Sequence, residues 1–294
     1  NIYGTIQTAG FGTAALWLIN PAGIVFGPSA SLNVGGSVHF STADYLRVGS
    51  GNDRFYADLG KTSQLTSAPV TAFGFLNSNP AAIAVKGSNM AVPNGQTLSL
   101  VGGNRTFPDP DNPSVSVPSG VTMTGGSLST PGGQIDIVSG ASKGEVVLVG
   151  SQATGPTLSG FDQLGSVSLS KGARLDTSVA PSPLTDIEAT AAAAGPIHIR
   201  SGQLVMDGSF IAAKSRGFKV PIVSRPASTT GGPIDIEAQT ITLTNQSEIK
   251  TEVFTGTFSS VDASGETVTV TYFGNTRTIC DCTVTAGAID IKAN

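Results

Sequence analysis

Apolar residues along this chain arrive in short pulses, never in long stripes. Ile2, Tyr3 and Ile6 precede a Thr8-Ala9-Gly10 turn, and a second pulse runs from Ala14 to Ile19. Between Trp17 and Tyr45 the pulses are broken by tight corners at Asn20-Pro21-Ala22-Gly23, Phe26-Gly27-Pro28-Ser29 and Gly35-Gly36. Short period-two runs bounded by Gly, Pro and Asn predict β-strands, and no helix start is visible. The rhythm resumes at Val70 to Leu76 and continues through Ile83-Ala84-Val85, Met90-Ala91-Val92 and Leu98-Ser99-Leu100. Lys86-Gly87-Ser88-Asn89 and Pro93-Asn94-Gly95-Gln96 are the turns between them.

The second half carries an internal repeat. Gly133-Gln134-Ile135-Asp136-Ile137 returns as Gly195-Pro196-Ile197-His198-Ile199, as Gly232-Pro233-Ile234-Asp235-Ile236 and as Gly287-Ala288-Ile289-Asp290-Ile291. Gly165 to Leu169 is a looser copy. In the stretch from Gly231 to Val253, the pairs Ile234/Ile236 and Ile241/Leu243 and then Ile249 are separated by polar corners. Three strands in about 22 residues is the length of one coil of a parallel β-helix. Ladder bonds would then run to the coils above and below, about 4.8 Å away, while Ile, Val and Leu point inward. The expected solenoid has about ten coils and a length on the order of 50 Å.

Some segments leave this pattern and predict excursions from the solenoid. Residues 46–68 lose the alternation and gather Arg47, Asp53, Arg54, Asp58 and Lys61, which reads as a loop or hairpin with a solvated charged face. Residues 180–194 combine proline corners with an alanine run long enough for one helical turn. Residues 254–285 alternate strictly on both sides of Gly274-Asn275, predicting a projecting hairpin with Val268, Val270 and Tyr272 on one face. The organisation expected is a β-helical unit over 1–130 with its excursion at 46–68. A continuation of the same solenoid over 131–294 bears the other two excursions.

Composition changes this picture little but excludes much. The chain has 294 residues, of which only 12% are charged, with 37 glycines and 17 prolines. A net charge of −4 offers no footprint for nucleic acid. No apolar run nears the roughly 20 residues that span a bilayer. Cys280 and Cys282 form a lone C-x-C, too close for an unstrained bond to each other. Intermolecular disulfides, free thiols and a soft-metal site stay open; the plain reading is two thiols in a surface hairpin.

Candidate chemistry is thin. Asp109 and Asp111, between prolines, are too few carboxylates for calcium. Asp136, Asp235 and Asp290 share one repeat position between inward isoleucines, so alternation turns them outward, toward solvent. A polysaccharide lyase or hydrolase would place clustered carboxylates on such a face, but no second acidic column accompanies them and His198 interrupts the series. His39 and His198 have neither metal spacing nor a nucleophile motif beside them. The expectation is a non-enzymatic chain without cofactor.

Three groups of residues carry a family resemblance. They are Asn20-Pro21-Ala22-Gly23-Ile24-Val25-Phe26-Gly27, then Leu32-Asn33-Val34-Gly35-Gly36, and Ser41-Thr42-Ala43-Asp44-Tyr45-Leu46. Phe73-Gly74-Phe75-Leu76 and the stretch from Val92 to Leu98 extend it. This pattern resembles the amino-terminal secretion domain of filamentous-haemagglutinin-like exoproteins of two-partner secretion, with Ala22 in place of the family's second Asn. The match covers roughly the first hundred residues. It implies a right-handed parallel β-helix, three strands per coil, recognised at Asn20, Pro21, Ala22, Gly23 and Ile24 by an outer-membrane transporter and exported to the cell surface. Family members begin with a capping segment before this stretch, which the given sequence does not contain. The corresponding expectation is a fragment of a longer chain or a head-to-tail filament, with Asn1, Ile2, Ile289 and Ile291 at the joining ends and Cys280 or Cys282 as cross-links. Surface adhesion, with Phe55, Tyr56, Tyr272 and Phe273 as contacts for a host or cell-surface glycan, is the other expected role.

Overall fold

A computed structural model describes residues 1–8, 10–64, 66–148, 155–179, 192–216, 232–254, 257–261, 267–271, 277–278 and 289–292. Within them every regular element is a strand, and the strands wind as a parallel β-helix with three faces. On the first face Leu16–Ile19, Val38–Ser41, Thr97–Gly102, Gln134–Ser139, the start of Ile197–Asp207, the start of Ile234–Thr244 and Ile289–Lys292 pair in parallel, one above the next. The second face stacks Ile24–Phe26, Ile83–Lys86, Val121–Thr124, Ser166–Ser170 and the later halves of the two long strands. Asn89–Ala91, Ser127–Ser129, Arg174–Asp176, Phe210–Arg216 and Glu248–Phe254 form the third.

Register explains the core. Inward positions of the first face read Leu16/Leu18, Val38/Phe40, Leu98/Leu100, Ile135/Ile137, Ile197/Ile199 and Ile234/Ile236. Met90, Leu128, Leu175, Ile211 and Ile249 supply a matching column on the third. All belong to one continuous hydrophobic cluster, each fully buried side chain contributing about 1.5–3 kcal/mol. The repeats beginning at Gly133, Gly195 and Gly232 are thus successive rungs.

The coil number differs from expectation. Among the described residues the first face has seven rungs, which spans roughly 30 Å at the usual strand spacing, not about 50 Å. The reason is that segments between the first and second faces leave the helix and consume chain. From the second, third and fourth rungs of that face they build an antiparallel sheet ordered Thr157–Ser159, Gly144–Val147, Val70–Phe75, Tyr45–Val48 and Asp53–Tyr56, and a small hairpin of Phe107–Pro108 with Ser116–Val117.

Both lie against the outside of the coils. Phe73, Phe75, Leu46 and Val146 of the sheet pack on Trp17, Ile19, Val101 and Val138 of the first face, a second core on the outer side of the same strands. Phe107 and Val117 cover Val25, Ala82 and Ala84 of the second face in the same way. Asp136, expected in solvent, is 2% exposed and His198 is fully buried. Alternation placed their side chains outward correctly; the returning chain then closed over that side.

Near the carboxyl end, Thr257–Val261 pairs antiparallel with Thr267–Thr271, Phe258 opposite Val270 and Ser260 opposite Val268. The partner of this ribbon is therefore the preceding segment, not the one beyond Gly274-Asn275. Arg277–Thr278 pairs back onto Lys250 and Thr251. The alanine run at 180–191, the Gly274-Asn275 turn, Tyr272, Phe273 and both cysteines lie outside the described residues.

Candidate functional site

Asn20 builds the first corner almost alone. Its Oδ1 accepts the Ala22 N–H at 3.2 Å, its Nδ2 donates to the Gly23 carbonyl at 2.8 Å, and its own carbonyl accepts the Gly23 N–H at 3.0 Å. Pro21 presets its own φ for the turn, while Gly23 sits at φ +119°, where a side chain would be strained. The absent side chain also leaves space for Phe107, since a Cβ at Gly23 would lie 2.3 Å from that ring. Arg105 braces the corner from the same later segment, donating from Nη2 to the Pro21 carbonyl at 3.3 Å and from Nε to the Asn79 carbonyl at 3.2 Å. Asn20 and Ala22 are exposed, whereas Ile24 is a core residue at 4%. Arg105 and Phe107 are more than eighty residues away in sequence and no local pattern ties them to this corner.

The second feature is a cleft of about 480 Å³ on the antiparallel sheet, lined by Tyr45, Arg47, Arg54, Phe75, Lys143 and Glu145 among others. Tyr45 lies flat across its neighbour because Gly74 opposite has no side chain; a Cβ there would meet the ring at 1.9 Å. Glu145 is spent on two partners, accepting from the Tyr45 hydroxyl at 2.6 Å and from Arg47 Nη1 at 2.8 Å. Partial burial, together with the Glu145 hydrogen bond and charge, pushes the Tyr45 hydroxyl well above the ordinary tyrosine range, so it stays a donor. Arg54 stacks over the other partner of this group, its guanidinium carbon 4.3 Å from the Tyr45 ring centre. The charges of residues 46–68 are accordingly not all a solvated face: Arg47 and Arg54 are half-buried parts of the cleft wall. Phe55 packs on the sheet's inner core, and Tyr56 carries Lys61 above its ring at 5.2 Å.

Between sheet and coils runs the buried column. Trp17, His39, Ser99, Asp136, His198, Asp235 and Asp290 occupy one position of successive rungs. Trp17 stacks on the His39 ring at 3.8 Å; His39 Nδ1 and the Ser99 hydroxyl hydrogen-bond at 3.0 Å, and Ser99 donates to Asp136 at 3.2 Å. Gln134 Nε2 donates to both Asp136 oxygens. His198 Nδ1 lies 3.6 Å from Asp235 Oδ2, which also takes Arg200 Nη2 at 2.5 Å. Burial drops His39 to about 3, so it is neutral, and burial raises Asp136 above the usual carboxylate range. A Cβ at Gly155 would lie 2.4 Å from the His198 ring, so that segment seals the column. The carboxylate column once weighed as an enzyme face is here an internal polar seam, with Asp136 shut away from any polymer substrate.

The remaining candidates fall apart in space. Asn1 donates to the Tyr3 hydroxyl at 3.2 Å, and Ile2 bridges Phe26 in parallel. Ile289 and Ile291 pair in register with Ile234 and Ile236. Asp109 and Asp111 share the Lys86 ammonium at 2.6 and 3.1 Å, which depresses the Asp109 pKa, so a lysine occupies the place a cation would take.

Residues 1–199 match the family model described as the TPS secretion domain. No curated protein and no solved structure matches the chain.

Proposed function

Because the chain belongs to the family of the TPS secretion domain, matched over 1–199, it is a haemagglutinin-type exoprotein of two-partner secretion; we propose that its work outside the cell is adhesion. The family implies an outer-membrane transporter as export partner and a destination in the extracellular space or at the cell surface. It also points to structural and adhesive proteins more than to enzymes. The observation that carries the adhesive reading is the open cleft on the antiparallel sheet, outside the solenoid. A β-helix needs no such appendage to fold, and the sheet presents polar and aromatic groups where a cell-surface glycan can reach them. A filament role would instead draw on coil-to-coil pairing and would leave this cleft idle.

Retention on immobilised glycans and on whole cells checks the reading. The Tyr45→Ala, Arg47→Ala double variant should lose at least about tenfold in retention, the size expected for removing a stacking ring and a charged donor. Equal retention of the variant, with an unchanged circular-dichroism spectrum, would remove the cleft from adhesion.

The exposed Asn20–Ala22 edge is the proposed recognition element for the transporter. Its shape depends on the Asn20 side chain, whose two hydrogen bonds contribute about 1 kcal/mol each, too little to unfold the coil. Asn20→Ala is therefore expected to reduce the amount exported into the medium several-fold when co-expressed with the transporter. Its melting curve should barely move. Undiminished export would leave the corner with a structural role only.

A further inference from the structure

The cleft holds more positive charge than its own structure uses. Arg47, Arg54 and Lys143 line it against the single carboxylate of Glu145, in a chain whose net charge is −4. Both Glu145 oxygens are taken by Tyr45 and Arg47. Arg54 and Lys143 form no ion pair among the described residues, and Arg54 Nε is buried without a hydrogen-bond acceptor. A buried guanidinium nitrogen left without an acceptor is costly, and the deficit is made good by a ligand that brings an anionic oxygen. Structural cations on a surface normally find a local carboxylate or extend into water; Arg54 does neither, being held flat against Tyr45.

The rest of the lining suits a sugar ring. Gly144 and Gly160 have no side chains to block approach, Asn52 and Ser159 offer hydroxyl-matching polar groups, and Phe75 and Tyr45 give apolar faces. A volume of about 480 Å³ admits one or two pyranose rings. We infer that the cleft binds an acidic saccharide, a pyranose bearing a carboxylate or sulfate, with Arg54 and Lys143 reading the anionic group and Tyr45 the ring. This rests on the adhesive reading of the cleft and narrows its ligand class. Neutral glycans leave the two cations unanswered. Arg47 is not part of the recognition pair because Glu145 already neutralises it.

Fluorescence anisotropy of the whole chain with three labelled probes tests this: an oligogalacturonate, a dextran sulfate oligomer and a neutral dextran. Binding of one or both acidic probes, weakened at least about tenfold by Arg54→Gln and by Lys143→Gln and by raised salt, supports the inference. Which acidic probe binds names the source of the anion. Lys171→Gln, outside the cleft, should bind as the wild type does. Neutral dextran binding as tightly, with loss in the Tyr45→Ala, Arg47→Ala double variant but none in the Arg54→Gln or Lys143→Gln variants, overturns the acidic assignment and leaves adhesion standing. No binding of any probe, with no retention on glycans or cells either, overturns both. Matching melting curves confirm that each variant is folded.

Discussion

A chain carrying valine at Gly195 is expected to lose its native β-helix. Gly133, Gly195 and Gly232 open successive rungs, and their backbones stack so closely that no side chain fits. A Cβ at Gly195 would sit 1.7 Å from the Gly133 carbonyl oxygen; one at Gly133, 2.0 Å from the Gln96 carbonyl; one at Gly232, 2.5 Å from the Gly195 carbonyl. The obstacle in each case is backbone, which is held by ladder bonds and cannot swing aside as a side chain would. None of the three has a positive φ, so the requirement is contact, not conformational strain. Displacing a rung also disturbs the inward Ile197 and Ile199 beside it. A cost of at least about 4 kcal/mol is expected, a large part of the 5–15 kcal/mol that holds a typical domain. Gly172→Ala is the control. Gly172 has φ +79° and open space around it, so strain alone applies and about 1 kcal/mol should be lost. Urea unfolding of the three chains measures the difference. Near-equal midpoints for Gly195→Val and wild type would mean that the stacked corner relaxes freely.

Acid should weaken the fold through His39, and removing that histidine should flatten the response. His39 is enclosed by Trp17, Phe73 and Ser99, and burial holds its pKa near 3 against 6.5 when unfolded. The unfolded chain therefore takes up a proton below pH 6.5 that the native state refuses. Stability from this group is whole above pH 6.5 and falls as pH drops toward 3, by about 1.4 kcal/mol per unit. Trp17 stacked on the ring favours the imidazolium by about 1 kcal/mol, which raises the native pKa by less than one unit. Between pH 7 and 4.5 the expected loss is still about 2–3 kcal/mol. Asp136 works the other way. Its raised pKa means the native state keeps a proton that the unfolded chain releases above 3.8, so its contribution improves on acidification. Comparison with His39→Gln isolates the histidine. That variant should start less stable at pH 7, because the Trp17 stack is lost, yet fall by about 2 kcal/mol less on going to pH 4.5. Parallel pH profiles would show that His39 is protonated in the native state.

Much of this protein was readable from its residues because a solenoid repeats one simple rule. Period-two pulses separated by glycine corners specify strands that cross one face each, and the recurring Gly-x-Ile-x-Ile gave the rung and its inward pair without any knowledge of contacts. The Asn20-Pro21-Ala22-Gly23 corner was equally plain, since Asn, Pro and Gly act on their own backbone within three residues. Where the reading stopped is just as specific. Alternation states which way Asp136 and His198 point but not what lies on that side. The segments that bury them join the solenoid only through contacts across tens of residues, Phe73 on Trp17 and Gly155 on His198.

The cleft shows the same limit. Arg47 and Glu145 are 98 residues apart, Tyr45 and Glu145 a hundred, and nothing in either neighbourhood announces the other. Residues 46–68 looked like a charged loop because charge without alternation is the signature of a solvated segment. Antiparallel pairing with Val70–Phe75, and of that strand with Gly144–Val147, turned those charges into a wall. The chain's own sequence thus determined the coils, their inward residues and their sharpest turn, which are local or repeating properties. Only the tertiary structure decided what covers the outside of the coils, because that depends on how two excursions, far apart along the chain, pair with each other.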